Sequence, residues 1–87
     1  MSNDCHIYKN KIFYTIPFSD FKMYRSAYLG TQFKAVQVDK PFTLQGSEIK
    51  HKAGDYIGYH KFFDVYFHVE KNTFENDFKL VLCEHGR

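Results

Sequence analysis

The chain has no tryptophan, and only 2 prolines, 2 cysteines and 5 glycines among its 87 residues. Two cysteines cannot supply the disulfide framework on which small secreted domains depend. Cys5 and Cys83 stand near opposite ends and are expected as free thiols of a reducing compartment. Each has a histidine nearby, His6 and His85. The adjacent Cys5-His6 pair and the very long loop between the two pairs do not fit zinc-finger spacing, so no metal or other cofactor is expected. No apolar run approaches the roughly 18 residues of a membrane-spanning helix. The start, "MSNDCHIYKN", lacks the basic-then-apolar layout of a secretory signal. A cytoplasmic protein with no membrane contact is expected.

Charge of either sign is also scarce in excess: 12 Lys and Arg stand against 10 Asp and Glu, a formal net charge of +2. That balance excludes an acidic mimic of DNA and argues against nucleic acid as a partner, which normally demands a strongly basic face. No repeat, low-complexity tract or Pro/Ser-rich linker divides the chain, so a single domain over 1–87 is expected.

What the sequence does have is rings, 10 Phe and 7 Tyr. They let a chain of this size fill a core with few residues, and leave some for a surface, where tyrosine is favoured in recognition.

Period-two alternation is the main structural signal. In "FFDVYFHVE", Phe63, Val65, Phe67 and Val69 alternate with Asp64, Tyr66, His68 and Glu70, which predicts a strand with one buried and one polar face. "QFKAVQV" (32–38) predicts a second strand, and "DKPFT" a turn. "FTLQ" and "SEIKHK" around Gly46 predict a hairpin. In "DYIGYH", Gly58 inside a strand predicts a bulge or a close approach of other groups. "KNTFENDF" predicts a two-turn helix capped by Asn72 or Thr73, with Phe74 and Phe78 on one face, and "KLVLCE" a last strand at 79–84. "HIYKNKIFYTI" predicts one strand, or two meeting near Asn10. In "SDFKMYRSAYL" a helix capped by Ser19, with Phe21, Tyr24 and Tyr28 on one stripe, competes with a short helical turn followed by a strand. The fold class is therefore mainly β (α+β): a small antiparallel sheet or partly open barrel of five to six strands with one or two short helical turns.

The stretch "HKAGDYIGYH" invites a functional reading, but each residue has a structural task. Gly54 supplies a positive φ, Asp55 can bond neighbouring amides and lock the turn, and Tyr56 and Ile57 start a strand. His51, His60 and His68 could in principle form an acid–base pair for phosphodiester cleavage. No serine or cysteine nucleophile set accompanies them, and a non-enzymatic protein is expected. Lys9, Lys11, Lys22 and Arg25 interleave with Tyr8, Tyr14, Tyr24 and Tyr28, as in grooves that stack bases, although a strand core needs the same alternation.

Residues 33–82 resemble the PGDYL family of small bacteriophage and prophage proteins. "KAVQVDKPFT" corresponds to its opening strand and Asp-x-Pro-Phe turn, "KAGDYI" to the motif that names it, and "VEKNTFENDFKLV" to its closing helical segment. Ala53 and Ile57 replace the usual proline and leucine, and "GYHKFFDVYF" is more aromatic than the usual linking stretch. The resemblance implies a phage accessory protein acting in the host bacterial cytoplasm. The expected function is binding and inhibition of a host protein, such as a defence component of the CRISPR type. Tyr24, Tyr28, Asp55, Tyr56, Tyr59, Tyr66 and His68 are the candidate surface residues, and homodimerisation through a strand edge is a further expected contact. The alternatives are sequestration of a nucleotide signal and binding of single-stranded nucleic acid.

Overall fold

A computed structural model describes residues 4–28 and 30–81. β1 (Cys5–Lys9) and β2 (Ile12–Ile16) form a hairpin, with Lys9 opposite Ile12. The two-residue turn between them has φ of 55° at Asn10 and 69° at Lys11, the pair of positive values a type I′ turn requires. A 3₁₀ turn (Phe18–Asp20) leads into β3 (Lys22–Ser26), so the helical-turn-then-strand alternative is the one adopted. Phe21 and Tyr24 consequently face opposite ways, in place of sharing a helical stripe. β4 (Gln32–Gln37), the two-residue β5 (Thr43–Leu44), β6 (Tyr56–His60), β7 (Val65–Val69), helix α1 (Lys71–Asp77) and β8 (Phe78–Leu80) follow.

The eight strands of the described residues make two antiparallel sheets, a small one in the order β2-β1-β5 and a large one in the order β7-β6-β4-β3-β8. The mainly β expectation holds, and among the described residues the sheets are open with no closed barrel. The strand count exceeds five or six because several strands have only two to five residues, too short for alternation to register.

Two clusters of apolar side chains occupy opposite faces of the large sheet. Cys5, Ile7, Phe21, Val38, Phe42, Ile57 and Tyr59 are buried on one face, beneath the small sheet. Ala35, Tyr56 and Phe74 are buried on the other, beneath α1. The three layers are thus small sheet, large sheet and helix. Complete burial of a side chain such as Phe42, Phe74 or Ile57 contributes roughly 1.5–3 kcal/mol.

Coverage on both faces corrects the one-sided reading of β7. Tyr66 packs on the first cluster and His68 bonds inward, so the expected polar face is half-buried. Phe63, expected in the buried row, lies in the β6–β7 turn and is exposed. The hairpin expected around Gly46 reduces to a single bridge between Phe42 and His51, because β5 pairs with β1 instead. α1 starts one residue before Asn72, with Glu70 rather than Asn72 or Thr73 at its cap position. Of the last strand expected at 79–84, Lys79 and Leu80 pair in β8, and 82–84 lie outside the described residues.

Gly58 is a close approach and not a bulge, since pairing runs unbroken from Ala35 through Gly58 to Phe67. A Cβ there would lie 2.2 Å from the Phe67 ring and 2.9 Å from that of Phe33. Among the described residues no helix is long and apolar enough to cross a membrane.

Candidate functional site

The turn at 52–55 is where the sequence motif acts. Gly54 has φ 94°, its N–H donates to Val38 O at 2.7 Å, and Val38 N–H donates to Asp55 O at 3.0 Å. These bonds tie the turn to the end of β4 and aim the buried Asp55 carboxylate at the start of α1. There Oδ1 accepts the Lys71 backbone N–H at 3.0 Å. Asp55 therefore supplies the helix cap that Glu70 does not, from 16 residues away. Its Oδ2 lies 2.7 Å from His68 Nε2, which must carry the proton because a carboxylate only accepts. Burial acts to raise the Asp55 pKa, but the His68 hydrogen bond and backbone hydrogen bonds at Lys71 and Lys52 outweigh it and hold the carboxyl below its ordinary range.

His51 stacks on His68, with ring centroids 3.7 Å apart and planes within 12°. Burial and then the neighbouring His68 lower the pKa of His51 against a smaller opposing pull from Asp55. Parallel rings at this distance leave no gap for a substrate atom between them. His60 stands apart, exposed, with its Nδ1 accepting the Phe63 N–H at 3.4 Å.

Most of the tyrosines expected at a surface are committed to the interior. Tyr56 stacks on Phe74 at 3.9 Å, and its hydroxyl donates to Glu75 at 3.0 Å. Burial and that carboxylate push its pKa up to about 12. Tyr24 meets Phe74 edge-on at 4.7 Å, and Tyr59 is buried with its hydroxyl donating to Asp64 at 2.7 Å. Tyr66 has a buried hydroxyl with no hydrogen bond among the described residues. Burial, then Cys5, Tyr59, Asp4 and Asp64, push its pKa up to about 12. Removing that orphan oxygen, Tyr66→Phe is expected to leave stability unchanged or to raise it by up to about 1 kcal/mol in urea unfolding. A loss of about 1 kcal/mol or more would mean that the hydroxyl is satisfied. Of the seven candidates only Tyr28 presents its ring to solvent, at 76% exposure.

Tyr8 and Tyr14, two further tyrosines that the sequence offers for surface contact, take the surface together with other rings. On β2, the free edge of the small sheet, Ile12, Phe13 and Tyr14 are 56%, 47% and 42% exposed, and Tyr8 on β1 is exposed beside them. Pairing alternation places Tyr8 and Phe13 on the outer face, 5.2 Å apart, with Ile12 and Tyr14 on the inner face beyond the end of the core. Lys9 Nζ sits 4.6 Å from the centre of the Tyr14 ring and 3.7 Å from Asp39. A second exposed pair, Phe62 and Phe63, caps the β6–β7 turn. Phe62 borders a cleft of about 650 Å³ at the end of the large sheet. Phe13, Phe62 and Phe63 were not legible as surface residues in the sequence. In a strand pattern they read as core, and the "KFFD" turn was legible only from two adjacent rings that cannot both face inward.

Cys5 is buried in the first cluster, and burial pushes its thiol up to about 12. Among the described residues no group of three or more His, Cys, Asp or Glu side chains is placed to hold a metal. Cys83 and His85 lie outside the described residues.

No family model, no curated protein and no solved structure matches this chain.

Proposed function

We propose that this chain is a non-catalytic binding module that docks on a protein through the β1–β2 hairpin and blocks it by occupying its surface. The observation that carries the reading is the exposure of Tyr8, Ile12, Phe13 and Tyr14 around a strand edge that is unpaired among the described residues. Rings and branched side chains on a short hairpin give contact area at low entropic cost. The edge itself, "IFYTI", contains none of the lysines, prolines or charges that ordinarily protect a sheet edge from pairing. A partner can therefore add a strand there and seat its own side chains against the rings. The resemblance of residues 33–82 to the PGDYL family supports the context: a phage or prophage protein, a host bacterial target, and a defence component such as a CRISPR-associated nuclease complex.

A tagged bait in bacterial extract at physiological salt tests this. The wild-type chain is expected to retain a stoichiometric host protein. Phe13→Glu/Tyr14→Lys, at exposed positions that leave thermal unfolding within a few degrees of wild type, is expected to lose it. Tyr28→Ala serves as the control and keeps it. Retention of the same protein by the folded double variant would overturn the reading. Self-pairing of two β2 edges is the competing occupant, and a sizing column would reveal it as a concentration-dependent dimer that the double variant cannot form.

A further inference from the structure

The small total charge conceals a segregation that appears only when the strands are aligned. In the large sheet, Lys79 pairs with Arg25, Arg25 with Gln32, Met23 with Lys34, and Lys34 with Tyr59. Directly paired residues point to the same face. Arg25, Lys34 and Lys79 therefore share one face, and Lys61 continues the row just beyond the last paired residue of β6. The small sheet and the Phe18 turn cover this face over Phe21, Val36, Ile57 and Tyr59. They leave Arg25, Gln32 and Lys79 exposed.

None of these four cations forms an ion pair among the described residues; the pairs there are Lys9–Asp39, His68–Asp55 and Lys71–Glu75. Carboxylates on segments beside the cleft have bonds of their own. Asp4 accepts the Phe18 N–H at 3.3 Å and Asp64 accepts the Tyr59 hydroxyl. Asp20 is the exposed carboxylate of the 3₁₀ turn. Glu70, Glu75 and Asp77 belong to α1 and its cap position, which packs on the opposite face.

Aromatic surface accompanies the cations. The cleft of about 650 Å³ is bounded by Phe18, Tyr59 and Phe62, with Lys34 and Lys61 and, among the described residues, no Asp or Glu in its wall. Lys34 Nζ is held 5.2 Å from the centre of the Phe18 ring. A second hollow of about 420 Å³ is lined by Arg25, Tyr28 and Lys79, again without a carboxylate among the described residues. The Tyr28 N–H donates to Ser26 Oγ at 3.2 Å, which anchors the chain beside that ring.

We infer that this face binds a short single strand of nucleic acid, its phosphates along Lys79, Arg25, Lys34 and Lys61 and its bases against Phe62 and Tyr28. The reach of the charges decides between ligand sizes. Four strands at about 4.8 Å spacing carry the row over roughly 14 Å, so it extends beyond one cleft-bound phosphate. Separated rings at the two ends accept unstacked bases, which a duplex does not offer. This site shares no residue with the hairpin surface and goes beyond the proposed protein-binding role.

Fluorescence anisotropy with a labelled oligothymidylate of about 12 nucleotides, titrated with the full chain, tests the inference. Saturable binding is expected that weakens with salt, with a log–log slope of roughly −2 to −3 for three to four phosphate contacts at about −0.7 each. Arg25→Glu/Lys79→Glu is expected to weaken binding at least tenfold and to flatten that slope. Lys61→Glu/Phe62→Ala, confined to an exposed turn, provides an independent variant with a loss of similar size. Lys9→Glu/Lys11→Glu on the hairpin should change the affinity less than twofold.

Absence of saturable binding at low salt would overturn the inference, as would folded face variants that bind like wild type. Equally tight binding of thymidine monophosphate, insensitive to Arg25 and Lys79, would also overturn it, since that outcome describes a mononucleotide pocket.

Discussion

Gly58→Ala is expected to cost about 2–3 kcal/mol of stability, the upper part of the range for overpacking a core. Backbone strain is not the cause, because the Gly58 φ is not positive. The new methyl would lie 2.2 Å from one Phe67 ring atom, 2.4 Å from the next and 2.9 Å from the Phe33 ring. Those two rings lean on each other at 5.7 Å, and Phe33 in turn meets Phe74 and Phe78. Phe67 thus cannot move towards Phe33 without disturbing the second cluster. Urea unfolding of Gly58→Ala, Phe67→Ala and the double variant measures the coupling. The double variant is expected to be less destabilised than the sum of the singles by about 1 kcal/mol or more. A single-variant loss below about 1 kcal/mol would show that the rings yield freely and that the glycine has another reason to be there.

Asp55→Ala is expected to cost about 2–4 kcal/mol, because it strands two donors at once. The Lys71 N–H at the helix start and the His68 Nε2–H, both part-buried, lose their acceptor, and each stranded donor carries a penalty towards the lower end of roughly 1–3 kcal/mol. The same carboxylate sets a pH dependence. Its pKa is lowered on folding, so its contribution is fully present above the unfolded carboxylate value of about 3.9 and is lost as pH falls through the lower folded value. Wild-type stability should therefore decline in acid, below about pH 4. Asp55→Asn should show a flatter decline there, since it has no charge to neutralise. Parallel acid profiles for the two chains would remove Asp55 from the account. A neutral Asp55→Ala in urea at pH 7 would remove the capping claim as well.

The local part of this molecule was legible in its sequence. "KNTFENDF" was legible as a helix, although of its two rings only Phe74 lies in α1 while Phe78 is extended and opens β8; "HIYKNKIFYTI" breaks at Asn10 because asparagine tolerates the positive φ of a tight turn, and Gly58 was flagged by its place inside a strand. Long-range pairing was harder to foresee. Tyr56 is an interior residue because Glu75, 19 positions away, takes its hydroxyl, and Asp55 caps a helix 16 positions ahead. Tyrosine in an alternating strand serves a core or a surface equally well, and only the second layer decides. Here α1 covers one face of the large sheet and the small sheet part of the other, so Tyr24, Tyr56, Tyr59 and Tyr66 turn inward. The cationic row has the same origin: Arg25, Lys34, Lys61 and Lys79 are scattered over 55 positions of chain and become neighbours only through the strand order β8-β3-β4-β6. Lys22 and Arg25, which the sequence interleaves with tyrosines, fall on opposite faces for the converse reason, since residues three apart on a strand face opposite ways.

Hydrogen exchange of the chain, alone and bound to the protein it captures, tests the central claim most directly. Slowed exchange is expected on binding at 8–16, where β2 gains a partner strand and the hairpin rings are covered, with little change at 23–34, 58–62 and 78–80. Protection confined to those latter segments, with 8–16 exchanging as in the free chain, would contradict it and place the protein contact on the cationic face.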